Sequence, residues 1–473
     1  MHPASASTPY SAPRNKMWLW GVGTISDALM IQTFGLVLPI FNTGFGLDPV
    51  LLSWAVMLPR LLDGITDPLL GHLSDNIKTR WGRRKPFLLV TTILGAILMA
   101  GIWWANPAWP KSWQFAYLIV CATLYYMTWG TYSMTHYALG YELTDDYHER
   151  ARVMAIRTLF LQMVVAVVGW TYWLAQRPVF GGEIQGIRWI GAGMAVFILA
   201  AGLVPVLFCK ERFALTNRKH EPILKSIKQA VRLGVFRTYL AVRFFSAFGL
   251  VVFNQLIFYV NTYFVCGGDK DLATKIIGIG TMLTVVLSMA VLPLVPRISR
   301  SIGKRKAVIV GCGIALLQAC LMPLLYTPAN PYLQLVAAAL TAPLIAIAIV
   351  LRDAIVPDIC DIDEVENGTR REALFTAVVS FVYKMEVSFC VVLVGYLLRF
   401  SAFDQTLKVQ APEVLTRLQW FTFTPNIVFC ALALMFAIRF PVTEEYMAKV
   451  RSQLDARRHQ AGAASHGLLP QPK

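Results

Sequence analysis

Gly82-Arg83-Arg84-Lys85-Pro86-Phe87-Leu88 opens one long apolar run, and Gly303-Lys304-Arg305-Lys306-Ala307-Val308-Ile309 opens another. Each places a glycine and three basic residues directly ahead of hydrophobic sequence. Outward from these two points, apolar segments recur at a length that spans a bilayer, for which about twenty helical residues suffice. Twelve are readable, at 17–43, 49–77, 86–106, 114–143, 153–177, 188–209, 237–265, 274–295, 307–326, 331–355, 373–398 and 417–439. Each echo stands before the third member of a set of six. The longest internal hydrophilic stretch, 210–236, separates the sets. The pattern predicts an all-α polytopic membrane protein whose twelve transmembrane helices form two pseudo-symmetric six-helix bundles. The divisions are a segment 1–16, bundles at 17–209 and 237–440, a basic linker at 210–236, and a tail at 441–473.

Composition agrees. The chain has 473 residues, 56% apolar and 15% charged. A soluble protein carries roughly 25% charged residues. That excludes an ordinary soluble enzyme, a disordered scaffold and a disulfide-stapled secreted domain. Lys and Arg total 43 against 27 Asp and Glu, a net charge of +16. The excess sits in alternate loops. Lys78, Arg80, Arg83, Arg84 and Lys85 follow the second segment. Lys210, Arg212, Arg218, Lys219, Lys225, Lys228 and Arg232 follow the sixth. Arg297, Arg300, Lys304, Arg305 and Lys306 follow the eighth. The loops at 44–48, 107–113 and 327–331 carry one basic residue together, Lys111. The positive-inside rule puts both termini in the cytoplasm of a multi-pass plasma membrane protein. The charge therefore does not indicate nucleic acid. Most of the eight cysteines lie inside apolar runs, with no CxxC, so they read as small buried hydrophobes. The first apolar run is too long for a signal-peptide core and reads as a retained helix. No nucleotide loop, metal cluster or nucleophile–base motif points to an enzyme or a cofactor.

The charges within the apolar segments carry the functional reading. Each costs roughly 2.5–3.5 kcal/mol at mid-membrane, so each faces a cavity or a partner. Arg60, Asp63 and Asp67 fall on one stripe of the second helix, within roughly 60° of one another. Two acids one turn apart make a proton or cation site, because like charges in a poorly solvated place raise one pKa unless a cation lies between them. Arg60 can hold one of them ionised. An interior ion-pair network that only clips helices together is the alternative. Asp27 lies well inside the first helix. It reads as a ligand for substrate hydroxyls or as the partner of a base such as Arg157, whose own alternative is to snorkel to the helix end. Lys384 sits near the middle of the eleventh segment and needs a counter-ion, with Asp63 or Asp67 in reach. Glu386 is about 200° away from it on the same helix, so it pairs elsewhere or titrates by itself. The aromatic residues of the fourth segment, Tyr125, Tyr126, Trp129, Tyr132 and Tyr137, and His136 with them, suit a sugar but individually suit packing better.

Gly71-His-Leu-Ser-Asp75 followed by Arg80-Trp-Gly82-Arg83-Arg84-Lys85-Pro86-Phe87 resembles the signature loop of the major facilitator superfamily. With Arg60, Asp63, Asp67 and Pro68 upstream, the stretch is similar to the glycoside–pentoside–hexuronide:cation symporter family. Glu142-Leu-Thr-Asp145-Asp-Tyr-His-Glu149-Arg150 with Arg157 fits that family. So do Pro357-Asp358-Ile-Cys-Asp361, Glu364, Gly368, Arg370, Arg371, Phe375 and Lys384. The resemblance covers nearly the whole chain and implies the major facilitator fold. It implies that Asp63 and Asp67 bind the coupling cation. It places Asp27, Arg157 and Tyr137 at the sugar, with Lys384 and Ser380 between the two sites. It departs from the family's best-studied sugar carrier at three places. Ser133 stands where that carrier has a third acid, Gly130 where it has a hydroxyl, and Thr66 where it has an asparagine. A cage with fewer oxygens suits H⁺ better than Na⁺, which wants several hard ligands. A similar loop occurs in plant sucrose carriers, so a disaccharide is as open as a glycoside or uronide.

The resulting expectation is secondary active symport of a sugar, glycoside or uronide with a monovalent cation, H⁺ favoured over Na⁺, by alternating access, in a bacterial inner membrane. Asp75 or the acids at 358–364 pair with the basic residues at 78–85 and 297–306, and with Arg83, Arg84 and Arg370 they form a cytoplasmic gate; the alternative is that these charges only set topology. Arg60, Lys384 and Glu386 serve coupling or ion pairing. The partners are the substrate, the cation and the lipid bilayer, and a monomer suffices. A carrier of lysolipid or other amphiphilic cargo is the alternative, and a sugar sensor of transporter shape is a third reading.

Overall fold

A computed structural model of the chain describes residues 12–76, 79–144, 146–209, 211, 230–368 and 371–465; the side chains at 63–65, 67–69, 71–76, 147, 148, 151, 347–354, 372, 373 and 458–465 lie outside that description. The described residues are nearly all helical. The first bundle holds α1 (Arg14–Thr33), continued through a 3-10 turn into α2 (Val37–Thr43), then α3 (Pro49–Asn76), α4 (Lys85–Gly101), α5 (Lys111–Tyr141), α6 (Tyr147–Val168) with the short α7 (Thr171–Ala175), and α8 (Glu183–Phe208). The second holds α9 (Gly234–Tyr259), ending in a π-helical turn at Val260–Val265, then α10 (Lys270–Val291), the short α11 (Val295–Ile302), α12 (Lys304–Leu325), α13 (Gln334–Asn367), α14 (Glu372–Phe400) and α15 (Pro412–Ile438). A last helix, α16, covers Glu444–Ser465.

Each expected segment falls on one of these helices. Among the described residues, nine helical stretches are long and apolar enough to cross a membrane. α5 is 31 residues long yet falls short of that standard. Its Thr, Tyr, Trp and His side chains lower its hydropathy; Tyr125, Tyr126, Tyr132, Thr135 and His136 are buried, while Trp113 and Tyr141 near its ends are exposed. Several helices outrun the expected bounds, α13 most of all. Its polar end, from Asp358 on, stays helical past the apolar stretch because helical hydrogen bonding does not need a bilayer.

The sequence echo has a structural counterpart. Gly82 has φ +116° and Gly303 has φ +83°, backbone conformations that L side chains rarely adopt. Each glycine turns the chain immediately before α4 or α12. In the first bundle the Glu211 carboxylate accepts the backbone N–H groups of Arg83, Arg84 and Lys85 at 2.6, 2.8 and 2.7 Å. An anion there satisfies otherwise unpaired helix-start donors and meets the positive end of the helix dipole. In the second bundle the Glu444 carboxylate stands against Gly303, where an added Cβ would meet its Oε1 at 3.0 Å. Both acids follow the last helix of their own bundle. Glu142, at the end of α5, bonds Arg84 and lies 3.6 Å from Arg83. Asp358, in α13, bonds Lys304 at 2.5 Å.

The tail is a docked helix. Met447, Val450 and Leu454 share one face of α16 and are buried in a core with Phe236, Ile359 and Phe375. Arg451 reaches Asp358 at 3.3 Å, and Arg457 donates to the carbonyls of Val365 and Glu364 near the end of α13.

The bundles meet mainly at the end opposite the termini. Lys270 pairs with Glu183 at 3.0 Å, Arg177 pairs with Asp271, and Gln176 donates to Thr274 at 3.2 Å. Tyr172 stacks on Phe258 and donates to Glu183. α3 and α14 pack closely there, since a Cβ on Gly395 would come within 2.5 Å of Ser53 Oγ. One apolar core runs through this end, joining Leu52, Ala55 and Val56 to Val391, Val394 and Leu398.

Replacing Glu211 by Ala strips three helix-start donors of their acceptor. The expected loss is about 1–3 kcal/mol of stability, read as a lower melting temperature of the purified protein. Gly82→Ala is expected to do the same through its φ. An unchanged melting temperature in both would contradict the capping role.

Candidate functional site

The site starts from a carboxylate in the wrong solvent. Asp27 lies midway along α1 and is 3% exposed. Two other helices satisfy it. Trp129 of α5 donates its indole N–H to Oδ1 at 3.0 Å, and Arg157 of α6 bonds Oδ2 at 3.2 Å. The Arg157 guanidinium sits 4.1 Å above the Tyr137 ring centroid. Arg157 therefore turns inward rather than snorkelling. The pair expected from sequence, Asp27 with Arg157, is brought together, and Tyr137 with it.

α5 supplies the wall because of its spacing. Tyr126, Trp129, Ser133 and Tyr137 recur every three or four residues and share one face. Trp129 is the residue that sequence reading undervalued. The signal was this spacing, which puts it between Tyr126 and Ser133 on the face that carries Tyr137. His136 lies seven residues on from Trp129, on the same side of the helix, and its contacts set it apart. It stacks between Trp20 at 4.7 Å and Tyr132 at 5.7 Å, and its Nε2 contacts the Trp20 carbonyl at 3.0 Å. It is a packing residue.

Arg60 of α3 donates Nε to the Tyr126 hydroxyl at 2.5 Å, and its guanidinium lies 5.1 Å from that ring centroid. The backbone of Asp63, Asp67 and Asp75 continues α3, but their side chains lie outside the described residues, and so does Arg370. Thr66 and Ser133 are half-buried on α3 and α5. On α14, Ser380 is exposed and Lys384 is half-buried, with the Ser388 hydroxyl on its carbonyl at 2.7 Å. Glu386, on another face of α14, is 1% exposed. Of the gate expected from sequence, Arg83 and Arg84 reach Glu142, and Lys304 reaches Asp358. Arg371 pairs with Asp363 at 2.8 Å through Nε. Each of these pairs lies within one bundle.

A buried carboxylate and guanidinium side by side offer a pattern of acceptors and donors that adjacent hydroxyls can bridge. The flanking rings offer flat apolar faces. Such a mixture suits a polyol with C–H faces better than a purely apolar cargo.

The family model for MFS/sugar transport proteins matches residues 19–444. The chain belongs to the glycoside–pentoside–hexuronide:cation symporter family. It is a multi-pass membrane protein, and its family and structural neighbours are membrane transporters. Among similar proteins, the uncharacterized symporter sll1374 of Synechocystis is 22% identical, with 93% of this chain and 96% of that one aligned. The isoprimeverose transporter of Lactiplantibacillus pentosus is 23% identical over 91% of each. Among solved structures, a D-xylose–proton symporter superposes with TM-score 0.64 at 16% identity, covering 90% of this chain and 96% of that one. That likeness establishes the major facilitator fold.

Removing one member of the central ion pair leaves the other buried and unbalanced, which costs about 3–5 kcal/mol. Asp27→Asn and Arg157→Gln are each expected to lower the melting temperature sharply. The double variant should recover much of the loss. Additive losses in a double-mutant cycle would show that the two side chains do not support each other.

Proposed function

We propose that this member of the family is a cation-coupled symporter of a sugar or glycoside, using H⁺ in preference to Na⁺. The observation that carries the reading is the buried Asp27–Arg157 pair with Trp129 and Tyr137 beside it. Asp27 and Arg157 bind substrate hydroxyls, and Trp129 and Tyr137 offer ring edges and faces to the sugar carbons. Asp63 and Asp67 bind the coupling cation one and two turns beyond Arg60 on α3. Lys384, with Ser380 one turn before it, stands between the two sites. Ser133 and Thr66 contribute hydroxyl oxygens only, so the cage is poor in charge for Na⁺ and adequate for a proton.

Both termini are cytoplasmic in this reading, by the distribution of Lys and Arg, and the membrane is the plasma membrane. The Glu183–Lys270 and Arg177–Asp271 pairs then close the outer end. Transport is the rocking of one bundle against the other about the central site. Breaking the outer pairs opens the opposite side.

Proteoliposomes loaded with H⁺ or Na⁺ gradients and screened with a panel of glycosides, disaccharides and uronides test this. The expected outcome is sugar-induced alkalinisation outside that Asp67→Asn abolishes. Uptake supported by Na⁺ alone would refute the proton preference. Transport of labelled lysolipid with no sugar moving any ion would refute the sugar. For the sugar that is moved, Trp129→Phe should weaken binding by about tenfold, the worth of one hydrogen bond to a charged group. Its uptake should otherwise persist. Binding unchanged by that variant would remove Trp129 from the site.

A further inference from the structure

Glu386 is 1% exposed near the middle of α14, and among the described residues neither of its carboxyl oxygens has a hydrogen-bond partner. A carboxylate so placed and uncompensated is far costlier than a neutral carboxyl. Its surroundings are nonetheless not free of charge. From α9, Arg243 faces it electrostatically, with its guanidinium 5.0 Å from the ring centroid of Tyr383, one turn before Glu386. From α3, Arg60 shares Cys390 with Glu386 as a common electrostatic neighbour. The side chains of α3 at 63–65 and 67–69 are outside the description. α15 is uncharged between Arg417 and Arg439, with Cys430 its titratable group there. α13 keeps Asp358 and Asp363 at its far end, held by Lys304, Arg451 and Arg371. On α14 itself, Lys384 lies on a different face. Arg243 is the guanidinium that acts on Glu386 directly, and among the described residues it forms no ion pair with it. Arg60 Nη1 and Arg243 Nε are themselves buried without a hydrogen-bond partner.

We propose that Glu386 is a proton-binding site of the transport cycle, separate from the acids of α3. The carboxyl holds its proton in the packing seen here. It gives the proton to water when α3 shifts against α14 and brings the free Nη1 of Arg60 onto the carboxylate. Arg60 belongs to the first bundle and Glu386 to the second, so rocking changes their separation, whereas Arg243 moves with Glu386. The role of this site in coupling rests on the proton-symport reading above. Its protonation does not depend on which cargo is moved.

The test uses a direct chemical probe. Dicyclohexylcarbodiimide adds to protonated carboxyls in apolar surroundings. Trypsin cutting after Lys384 and Arg399 yields the peptide Met385–Arg399, in which Glu386 is the sole side-chain carboxyl. Purified protein in liposomes should be labelled on this peptide at about pH 6, with at least about a tenfold loss by about pH 9. Arg60→Gln should extend labelling to higher pH. In proteoliposomes Glu386→Gln should lose sugar-driven proton uptake to below about a tenth of wild type while retaining sugar counterflow. Glu386→Asp, which keeps the carboxyl, should retain both labelling and proton uptake. Labelling of the wild-type peptide that falls with pH supports the site even if no sugar in the panel moves. A peptide unlabelled across that range overturns the proposal. So does proton uptake that survives Glu386→Gln.

Discussion

A charge inside an apolar helix bundle must be matched there, and this constraint organises the protein. Asp27 is buried in the first helix, and two further helices are fixed by what it requires. α5 turns Trp129 toward it and α6 turns Arg157. Once Arg157 is drawn inward, Tyr137 receives its guanidinium face. The aromatic wall and the ion pair are therefore one construction. Desolvation makes the pair stiff and intolerant of losing one member.

The frame that holds this centre is repeated. Each bundle begins its third helix after a glycine at positive φ, and each sets a carboxylate from beyond its last helix against that turn. Glu211 does this for the first bundle through three backbone N–H groups. Glu444 occupies the matching place in the second, where it also starts the docked tail helix. The ion pairs Arg83–Glu142 and Lys304–Asp358 repeat the theme. These contacts tie the start of each bundle's third helix to the segment beyond its last. The bundles meet each other mainly at the end opposite the termini. That contact is asymmetric. The end opposite the termini carries a shared apolar core and two ion pairs between bundles. The paired charges described at the terminal end stay inside their own bundle.

Much of this was legible in the sequence for a physical reason. Membrane insertion demands long apolar runs, and topology demands basic loops, so the apolar helices and the repeat were visible. The cost of a charge in lipid singled out Asp27, Arg60, Arg157, Lys384 and Glu386. The helical period placed Arg60 on the stripe with Asp63 and Asp67. Less was legible about the aromatic residues. Their composition suits packing and binding equally, and only contact separates His136, stacked in the core, from Trp129, bonded to Asp27. The docking of the tail was not legible, because three apolar residues on one face of a helix are a weak signal until a surface receives them.

Sequence by itself determined that the chain crosses the membrane repeatedly as two related bundles and which residues are too costly to leave facing lipid. Those properties follow from transfer free energies summed along the chain, and they need no knowledge of neighbours. Tertiary structure alone decided the partners. Asp27 binds Arg157 and Trp129, Arg60 binds Tyr126, and Glu386 is left, among the described residues, with the Arg243 guanidinium facing it and no hydrogen bond. Hydrogen bonds and ion pairs act over a few ångströms between residues far apart in sequence, so only the packed bundle sets them.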